Sequence, residues 1–260
     1  MVYKLLTLSE ENGAALLTLN RPEVYNALND EITFELQDAL KQIAANNSVR
    51  VVVLTGSGKA FCSGQDLKSV SGKPDFSYKD SVERRYNPIV MAMRNMPKPI
   101  ICKLNGIAAG AGCSLALACD MIVASEDAYL VQAFINIGLV PDSGSTYFLP
   151  RLVSSAKAFE LCTMGSKISA AEALQLGMIN KVVPQDQLDI ATKAYVDYFA
   201  SAPTKTVGLI KQMLQKSGSS TIGEMLALEA ETQEIAGHTD DHREGVRAFL
   251  EKRKPGFKGS

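Results

Sequence analysis

Short runs of almost uniformly apolar residues alternate with amphipathic segments along the first half of the chain. Four of these runs predict β-strands: residues 14–19, 49–55, 100–104 and 121–124. The run 49–55 is apolar on both faces, as expected of a parallel strand that is covered on both sides. Residues 32–43 place apolar side chains on one helical face that Asn29 or Asp30 can cap, and residues 110–119 predict a buried helix. This alternation of strands and helices predicts an α/β fold.

The pattern becomes helical after Pro150. Ser169 and Glu172, three residues apart and followed by Gly177, predict a capped helix over residues 169–176. Further amphipathic stretches predict four more helices: residues 187–201, 204–216, 221–236 and 241–252. We therefore predict one α/β core, residues 1–195, followed by a helical C-terminal region, residues 196–260.

The composition disfavours several classes of protein. The 260 residues are 46% hydrophobic and 21% charged, which is ordinary for a soluble globular protein. Lys and Arg number 27 against 28 Asp and Glu, and the resulting charge of −1 disfavours binding to duplex nucleic acid. No stretch reaches the ~18 apolar residues of a membrane span, and the N-terminus lacks the layout of a signal peptide. We expect a cytoplasmic protein with neither a nucleic-acid nor a membrane partner.

The cysteines do not form a recognisable metal or disulfide framework. The five are Cys62, Cys102, Cys113, Cys119 and Cys162, an odd number with no CxxC pair. The chain has only two histidines, so a zinc site is not expected. These features favour buried thiols in a reducing compartment, with no metal site.

Three glycine-rich segments, residues 59–67, 105–114 and 138–145, carry the candidate chemistry. Glycine lets a ligand approach the backbone, and N–H groups at the start of a helix have no intrahelical partner. Two such N–H groups from separate segments could hold one developing oxyanion. No GxGxxG motif follows the first predicted strand, which disfavours a nicotinamide-binding domain.

The motifs themselves resemble a known family. Asn20-Arg21-Pro22, AFCSGQDL at 60–67, NGIAAGAGCSLALACD at 105–120 and IGLVPDSG at 137–144 together resemble the crotonase (enoyl-CoA hydratase/isomerase) superfamily. The resemblance covers nearly the whole chain. It implies a spiral of ββα units, a C-terminal helical region that forms trimers or hexamers, and an acyl-CoA substrate. Residues 1–195 would then be the acyl-CoA-binding core and 196–260 the trimerisation region, with no cofactor beyond the CoA of the substrate.

The resemblance also implies site residues. The thioester oxygen would be held by the backbone N–H groups of Gln65 and Ala111, with the adenine pocket along residues 60–67. The positions expected around the substrate are Ala27, Ala60, Ser63, Gly64, Asp66, Leu67, Gly110, Ser114, Phe134 and Pro141. Phe249 and Lys252 resemble contacts made to CoA from a neighbouring subunit, although a solvated helix face is an equal alternative. The acyl pocket is expected within residues 69–96.

The departures from the family pattern bear on the reaction. Hydratases of this family use two glutamates to activate water, and Ser114 and Phe134 stand at those positions here. Neither side chain can perform paired acid–base work, so hydration is expected to be feeble. Asp142 remains as a candidate single base, and its loop resembles the branch that includes the ring-1,2-epoxyphenylacetyl-CoA isomerases of phenylacetate catabolism. A plain turn residue is the alternative for Asp142.

Other residues and other functions remain open at this stage. We interpret Asp66 as a structural loop residue, Asp120 as locally paired and Tyr86 as a packed side chain, although Tyr86 could reach an acyl pocket. The leading hypothesis is an acyl-CoA isomerase that uses Asp142. The alternatives are a hydratase, a hydrolytic or dehalogenating relative with Asp142 as nucleophile, and a non-catalytic acyl-CoA-binding protein. A serine hydrolase is disfavoured because GxSxG is absent.

Overall fold

Two sheets form the framework of the protein in the computed structural model, which describes residues 3–69, 71 and 75–260. The six-stranded sheet has the order β1 (Leu6–Glu11), β2 (Ala14–Leu19), β3 (Val51–Gly56), β5 (Ile100–Leu104), β7 (Met121–Ser125) and β10 (Lys181–Val183). The four-stranded sheet has the order β4 (Ala60–Cys62), β6 (Ile107–Ala109), β8 (Tyr129–Val131) and β9 (Lys167–Ser169). Pairing is parallel except for β1 with β2 and β8 with β9.

Helices separate and cover these strands. They are α1 (Asp30–Ala45), α2 (Tyr78–Ser81), α3 (Asn87–Asn95), α4 (Ala111–Ala118), α5 (Ser145–Leu152), α6 (Ser155–Met164), α7 (Ala170–Gln175), α8 (Leu188–Ser201), α9 (Thr204–Ser217), α10 (Ile222–Gly237) and α11 (Asp240–Leu250). Short 3-10 turns occupy Pro22–Val24, Leu67–Ser69, Ala133–Ile137 and Gln185–Gln187. A π-helical turn, Val82–Tyr86, joins α2 to α3.

Consecutive strands pass to alternate sheets, and this gives the chain its spiral path. β3 lies in the larger sheet and β4 in the smaller one, and the pairs β5–β6 and β7–β8 repeat the step. A helix follows each step: α2 and α3 after β4, α4 after β6, and α5 and α6 after β8. The α/β fold and the spiral of ββα units expected from the sequence are confirmed.

The core lies on both faces of the larger sheet, as the apolar run in β3 predicts. Val52 and Leu54 pack into the main cluster together with Leu36 and Leu40 of α1. Val51, on the opposite face of β3, packs with Leu188 and Ala191 of α8 in a second cluster. Every residue of β3 is buried, because each face of the strand has a helix against it.

Two of the predicted boundaries fall inside helices of the structure. Pro150 marks the expected change to helix, yet it lies inside α5, where its ring faces solvent. The predicted boundary after residue 195 falls within α8, which runs unbroken from Leu188 to Ser201 and packs on the sheet. The division into an acyl-CoA-binding core and a trimerisation region therefore stays a prediction.

A buried charge cluster ties the C-terminal helices to the core. Lys211 of α9 donates to Asp120 at 2.7 Å and to the carbonyl oxygens of Met93 and Lys98 at 2.9 and 3.2 Å. Asp120 also pairs with Arg94 at 3.3 Å, so the expectation that Asp120 is locally paired is confirmed. Among the described residues, no helix has the length and hydropathy needed to cross a membrane.

Candidate active site

The first glycine-rich segment turns sharply after β4, at Gly64. Gly64 has φ +90°, and a Cβ there would lie 2.7 Å from the carbonyl oxygen of Ala109, so both conformation and space require glycine. A short parallel bridge to Leu28 follows, in which Leu28 N–H donates to Gly64 and Asp66 N–H donates to Leu28. The bridge uses the Gly64 carbonyl oxygen and the Asp66 N–H, which lie on either side of Gln65. The Gln65 N–H takes no part in the bridge.

The second glycine-rich segment begins α4 at Ala111. Gly110 has φ +52°, and the Ala111 N–H is one of the helix-initiating groups that lack an intrahelical acceptor. A Cβ on Gly112 would lie 2.2 Å from the carbonyl oxygen of Cys62, so α4 packs directly on β4. A Cβ on Gly64 would lie 3.3 Å from the Ala111 nitrogen. Each candidate donor thus follows a glycine with positive φ, and the two segments lie side by side.

Asp142 lies on the loop between the turn Ala133–Ile137 and α5, half-buried. Ser143 and Gly144 after it have φ +52° and +84°, and the Asp142 carbonyl oxygen accepts hydrogen bonds from Ser114 Oγ and Ser145 N–H, both at 3.1 Å. Burial raises the pKa of the Asp142 carboxyl group, opposed by the hydrogen bond from Ser143 at 2.8 Å and by the Arg85 charge. A carboxylate in this position is suited to work as a base.

Ser114 and Phe134, the two positions where hydratases would carry glutamates, are both buried. The Ser114 hydroxyl lies 3.2 Å from the Gly110 carbonyl oxygen, 3.1 Å from that of Asp142 and 2.6 Å from Ser145 Oγ. The Phe134 side chain is 8% exposed, and a Cβ on Gly110 would lie 3.9 Å from its Cζ. Ser114 therefore holds the Asp142 loop by a hydrogen bond, and Phe134 places an aromatic ring beside the segment that carries Ala111.

The structure separates the other predicted substrate positions by accessibility. Ala60 is fully buried in β4 and presents no accessible surface, and Ala27 is nearly buried. Leu67 is half exposed, whereas Ser63 and Pro141 have intermediate burial. Within residues 60–67, where the adenine pocket is expected, the accessible positions are Ser63, Gln65, Asp66 and Leu67.

The remaining expectations concern regions outside this centre. Phe249 is 83% exposed at the end of α11, and Lys252 follows that helix. Within the expected acyl-pocket segment, residues 70 and 72–74 lie outside the described residues.

Two carboxylates near the first two glycine-rich segments are engaged in ion pairs. Asp66 Oδ2 accepts hydrogen bonds from Nη1 and Nη2 of Arg21, each at 3.1 Å. Arg21 Nη1 also donates to the Ala27 carbonyl oxygen at 2.6 Å. Asp30 pairs with Arg85 at 2.7 Å. The expected structural role of Asp66 agrees with this geometry, which holds the segment before α1 against the loop after β4.

Arg85 is the residue of this region that sequence reasoning missed. Its side chain is nearly buried and donates to Gln65 Oε1 at 2.8 Å as well as to Asp30. Arg85 lies four residues before Ile89, which faces the core, and Met93 continues the same face. A charged residue on an otherwise apolar helical face is the signal that could have identified it.

The spiral path of the chain through two sheets defines an enzyme of the crotonase fold. Residues 9–260 match the family model described as enoyl-CoA hydratase/isomerase, and the chain belongs to that family. It is 43% identical to the 1,2-epoxyphenylacetyl-CoA isomerase of Escherichia coli (strain K12), with 96% of each chain covered. It is 40% identical to a probable enoyl-CoA hydratase of Rhodobacter capsulatus, with both chains fully covered. The crystal structure of an enoyl-CoA hydratase from Mycobacterium smegmatis superposes with a TM-score of 0.92 at 36% identity, covering 97% of this chain and 98% of that one.

Proposed function

We propose that this enzyme is an acyl-CoA isomerase that moves a double bond, or rearranges a ring epoxide, of an enoyl- or arylacetyl-CoA. Asp142 would act as the base, and the N–H groups of Gln65 and Ala111 would hold the thioester oxygen. The observation that carries the proposal is the position of Asp142 on a loop that is hydrogen-bonded to α4, the helix that begins at Ala111.

The chemistry follows from the acidity of the carbon next to a thioester. Removal of a proton there, or at a conjugated carbon, produces an enolate whose negative charge lies on the thioester oxygen. Two preorganised N–H donors stabilise that charge, and losing one such donor costs about 2.7–4 kcal/mol. A single carboxylate can then return the proton at a second carbon, which shifts the double bond without adding water.

The buried positions of Ser114 and Phe134 support isomerisation over hydration. Addition of water to an enoyl thioester needs one group to activate the water and one to supply a proton. The Ser114 hydroxyl is surrounded by three protein oxygens, and Phe134 has no titratable group. Hydration of a 2-enoyl-CoA is therefore expected to be several orders of magnitude slower than isomerisation of a suitable substrate.

The relatives suggest two substrate classes for the first assay. One relative is named for a ring epoxide of phenylacetyl-CoA, and another for a 2-decenoyl group on acyl-carrier protein. Phenylacetyl-CoA epoxides and straight-chain 2- and 3-enoyl-CoAs form the natural test panel, because both classes carry an acidic C–H group next to the thioester carbonyl or conjugated with it.

Asp142→Asn tests the mechanism. Isomerisation, followed by the absorbance of the conjugated thioester, should fall by about 10²–10⁴-fold, while acyl-CoA affinity changes little because both N–H donors remain. Asp186→Asn, an exposed substitution of the same kind, should keep full activity. Water addition is measured by mass spectrometry in the same reactions. More than about a third of wild-type isomerisation in Asp142→Asn, or hydration as fast as isomerisation, would contradict the proposal.

The assembly is proposed on separate grounds. The helices α10 and α11 carry exposed apolar side chains, among them Ile222, Leu226, Phe249 and Leu250. Association buries such surface, and closed symmetric assemblies are the usual outcome for identical chains. The number of copies comes from the family resemblance, which implies three copies, or two stacked sets of three.

A further inference from the structure

The side chain of Gln65 is tied by hydrogen bonds at both ends of its carboxamide. Its Oε1 accepts Tyr86 Oη at 2.5 Å and Arg85 Nη2 at 2.8 Å. Its Nε2 contacts the carbonyl oxygens of Leu28 and Asp66 at 3.2 and 3.1 Å and Ser69 Oγ at 3.3 Å. Both lone pairs of the carboxamide oxygen are used, so the side chain has one well-defined position. The side chain therefore anchors the residue that carries the candidate N–H donor.

The two donors to Gln65 Oε1 are adjacent in sequence and lie at the end of the π-helical turn Val82–Tyr86. Such turns are rare and often mark functional sites. Gln37 Nε2 donates to the carbonyl oxygens of Arg84 and Arg85 at 2.9 and 3.1 Å. These two carbonyl oxygens of the π-helical turn thus accept hydrogen bonds from a side chain of α1.

The guanidinium of Arg85 connects this turn to a second element. Its Nη1 donates to Asp30, the first residue of α1, at 2.7 Å, and its Nε donates to Ser81 Oγ at 3.1 Å. The group lies over the Tyr86 ring at 5.3 Å. Arg85 and Tyr86 are only 4% and 2% exposed. Buried donors without acceptors are costly, so the Gln65 carboxamide and its two donors constrain each other.

We propose that Arg85 and Tyr86 are positioning residues that hold the Gln65 carboxamide and thereby fix the direction of the Gln65 N–H toward the thioester oxygen. The inference rests on the proposed oxyanion role of Gln65. The peptide between Gly64 and Gln65 is held on its carbonyl side by the hydrogen bond from Leu28 N–H to Gly64 at 2.7 Å. The tethered carboxamide holds the Gln65 side of the same peptide, and transition-state stabilisation depends on donors that are already aligned.

A set of three variants separates this role from a merely structural one. Tyr86→Phe removes one donor to Oε1 and keeps the ring, Gln65→Ala removes the carboxamide and keeps the backbone N–H, and the double variant combines them. Each single variant should lower kcat by about 3- to 30-fold with KM little changed. The double variant should be no slower than Gln65→Ala alone, because both substitutions break one network. Tyr3→Phe, which removes a hydroxyl bonded to Asp38 at 2.8 Å, is the matched control and should keep wild-type kcat.

The direct readout is the infrared C=O stretch of bound butyryl-CoA labelled with ¹³C at the thioester carbonyl. This saturated ligand cannot isomerise, so the measurement does not depend on turnover or on Asp142. Binding to the wild type should lower the frequency, and Tyr86→Phe and Gln65→Ala should each restore part of that shift, unlike Tyr3→Phe. An unchanged frequency in both variants would overturn the positioning role, and so would a wild-type protein that leaves the free frequency unaltered. If the shifts appear while Asp142→Asn stays active, the positioning role stands and the proposed base is wrong.

Discussion

Ser114 Oγ donates a hydrogen bond to the carbonyl oxygen of Asp142 at 3.1 Å. Ser114 lies one turn after Ala111 in α4, so a single helical turn and one hydroxyl join the candidate oxyanion donor to the candidate base. Ser114, at the position where the resemblance places a hydratase glutamate, therefore links the two parts of the candidate site, although its side chain is no acid–base group. The hydrogen bond thus holds the main chain of Asp142 against the first turn of α4.

Removing this hydroxyl should affect turnover more than binding. Ser114→Ala leaves the carbonyl oxygen of Asp142 with one donor, Ser145 N–H, and allows the Asp142 loop to shift. We expect kcat to fall about 3- to 30-fold with KM little changed, as for the loss of one or two buried hydrogen bonds. Steady-state kinetics on the best substrate of the panel measure this, with the exposed Ser48→Ala as control. If Ser114→Ala and Ser48→Ala have the same kcat, the Ser114 hydroxyl does not position the Asp142 loop for turnover.

The fall of kcat/KM at acid pH should follow the protonation of Asp142, whose pKa depends on the neighbouring charge of Arg85. A base works in its ionised form, so kcat/KM falls as the pH drops through the Asp142 pKa, which burial raises above 3.8. Arg85 lowers that pKa, whereas burial raises it; the other neighbours are Ser143, which donates to the carboxylate, and the uncharged Tyr86. Arg85→Met should therefore move the acid limb to higher pH. Arg84→Met, an exposed change in the same turn, should leave the limb in place.

The raised pKa also predicts that the candidate base destabilises the fold at neutral pH. A carboxyl group whose folded-state pKa is raised contributes stability below its unfolded value near 3.8, and this contribution is lost as the pH rises through the folded value. Asp142→Asn keeps the acceptor for Ser143 without the charge, so its melting temperature should exceed that of the wild type at pH 7. The difference should shrink as the pH approaches 3.8, and a variant that melts lower at pH 7 would contradict it. Asp186→Asn supplies the baseline.

Sequence patterns predicted the elements that carry their own signal. β2 and β5 match the predicted residues, and Asn29 caps α1 by accepting a hydrogen bond from the Ile32 N–H. The strands of the smaller sheet were missed because each has three residues, too few to show a period of two. Their existence depends on pairing between segments far apart in the chain.

The residues of the candidate site were likewise identified from the sequence only in part. Gly64 and Gly110 could be identified because the main-chain geometry at these positions demands glycine, and motifs record that demand. Arg85 could not be assigned a role because its partners, Gln65 and Asp30, lie 20 and 55 residues away. The pairing of Ser114 with Asp142 spans 28 residues and also exists only in the folded chain.

The C-terminal helices should hold the assembly together. Ile222 and Leu226, one turn apart on α10, are 77% and 58% exposed, and burying such side chains is worth about 1.5–3 kcal/mol each. Light scattering of the wild type at micromolar concentration should give a mass three or six times 28.0 kDa. The double variant Ile222→Glu, Leu226→Glu should shift the mass toward a single chain, since charges at an apolar interface lose their hydration. Lys216→Glu, an exposed charge change on α9, should keep the wild-type mass. A wild-type particle of 28.0 kDa would refute the predicted assembly outright.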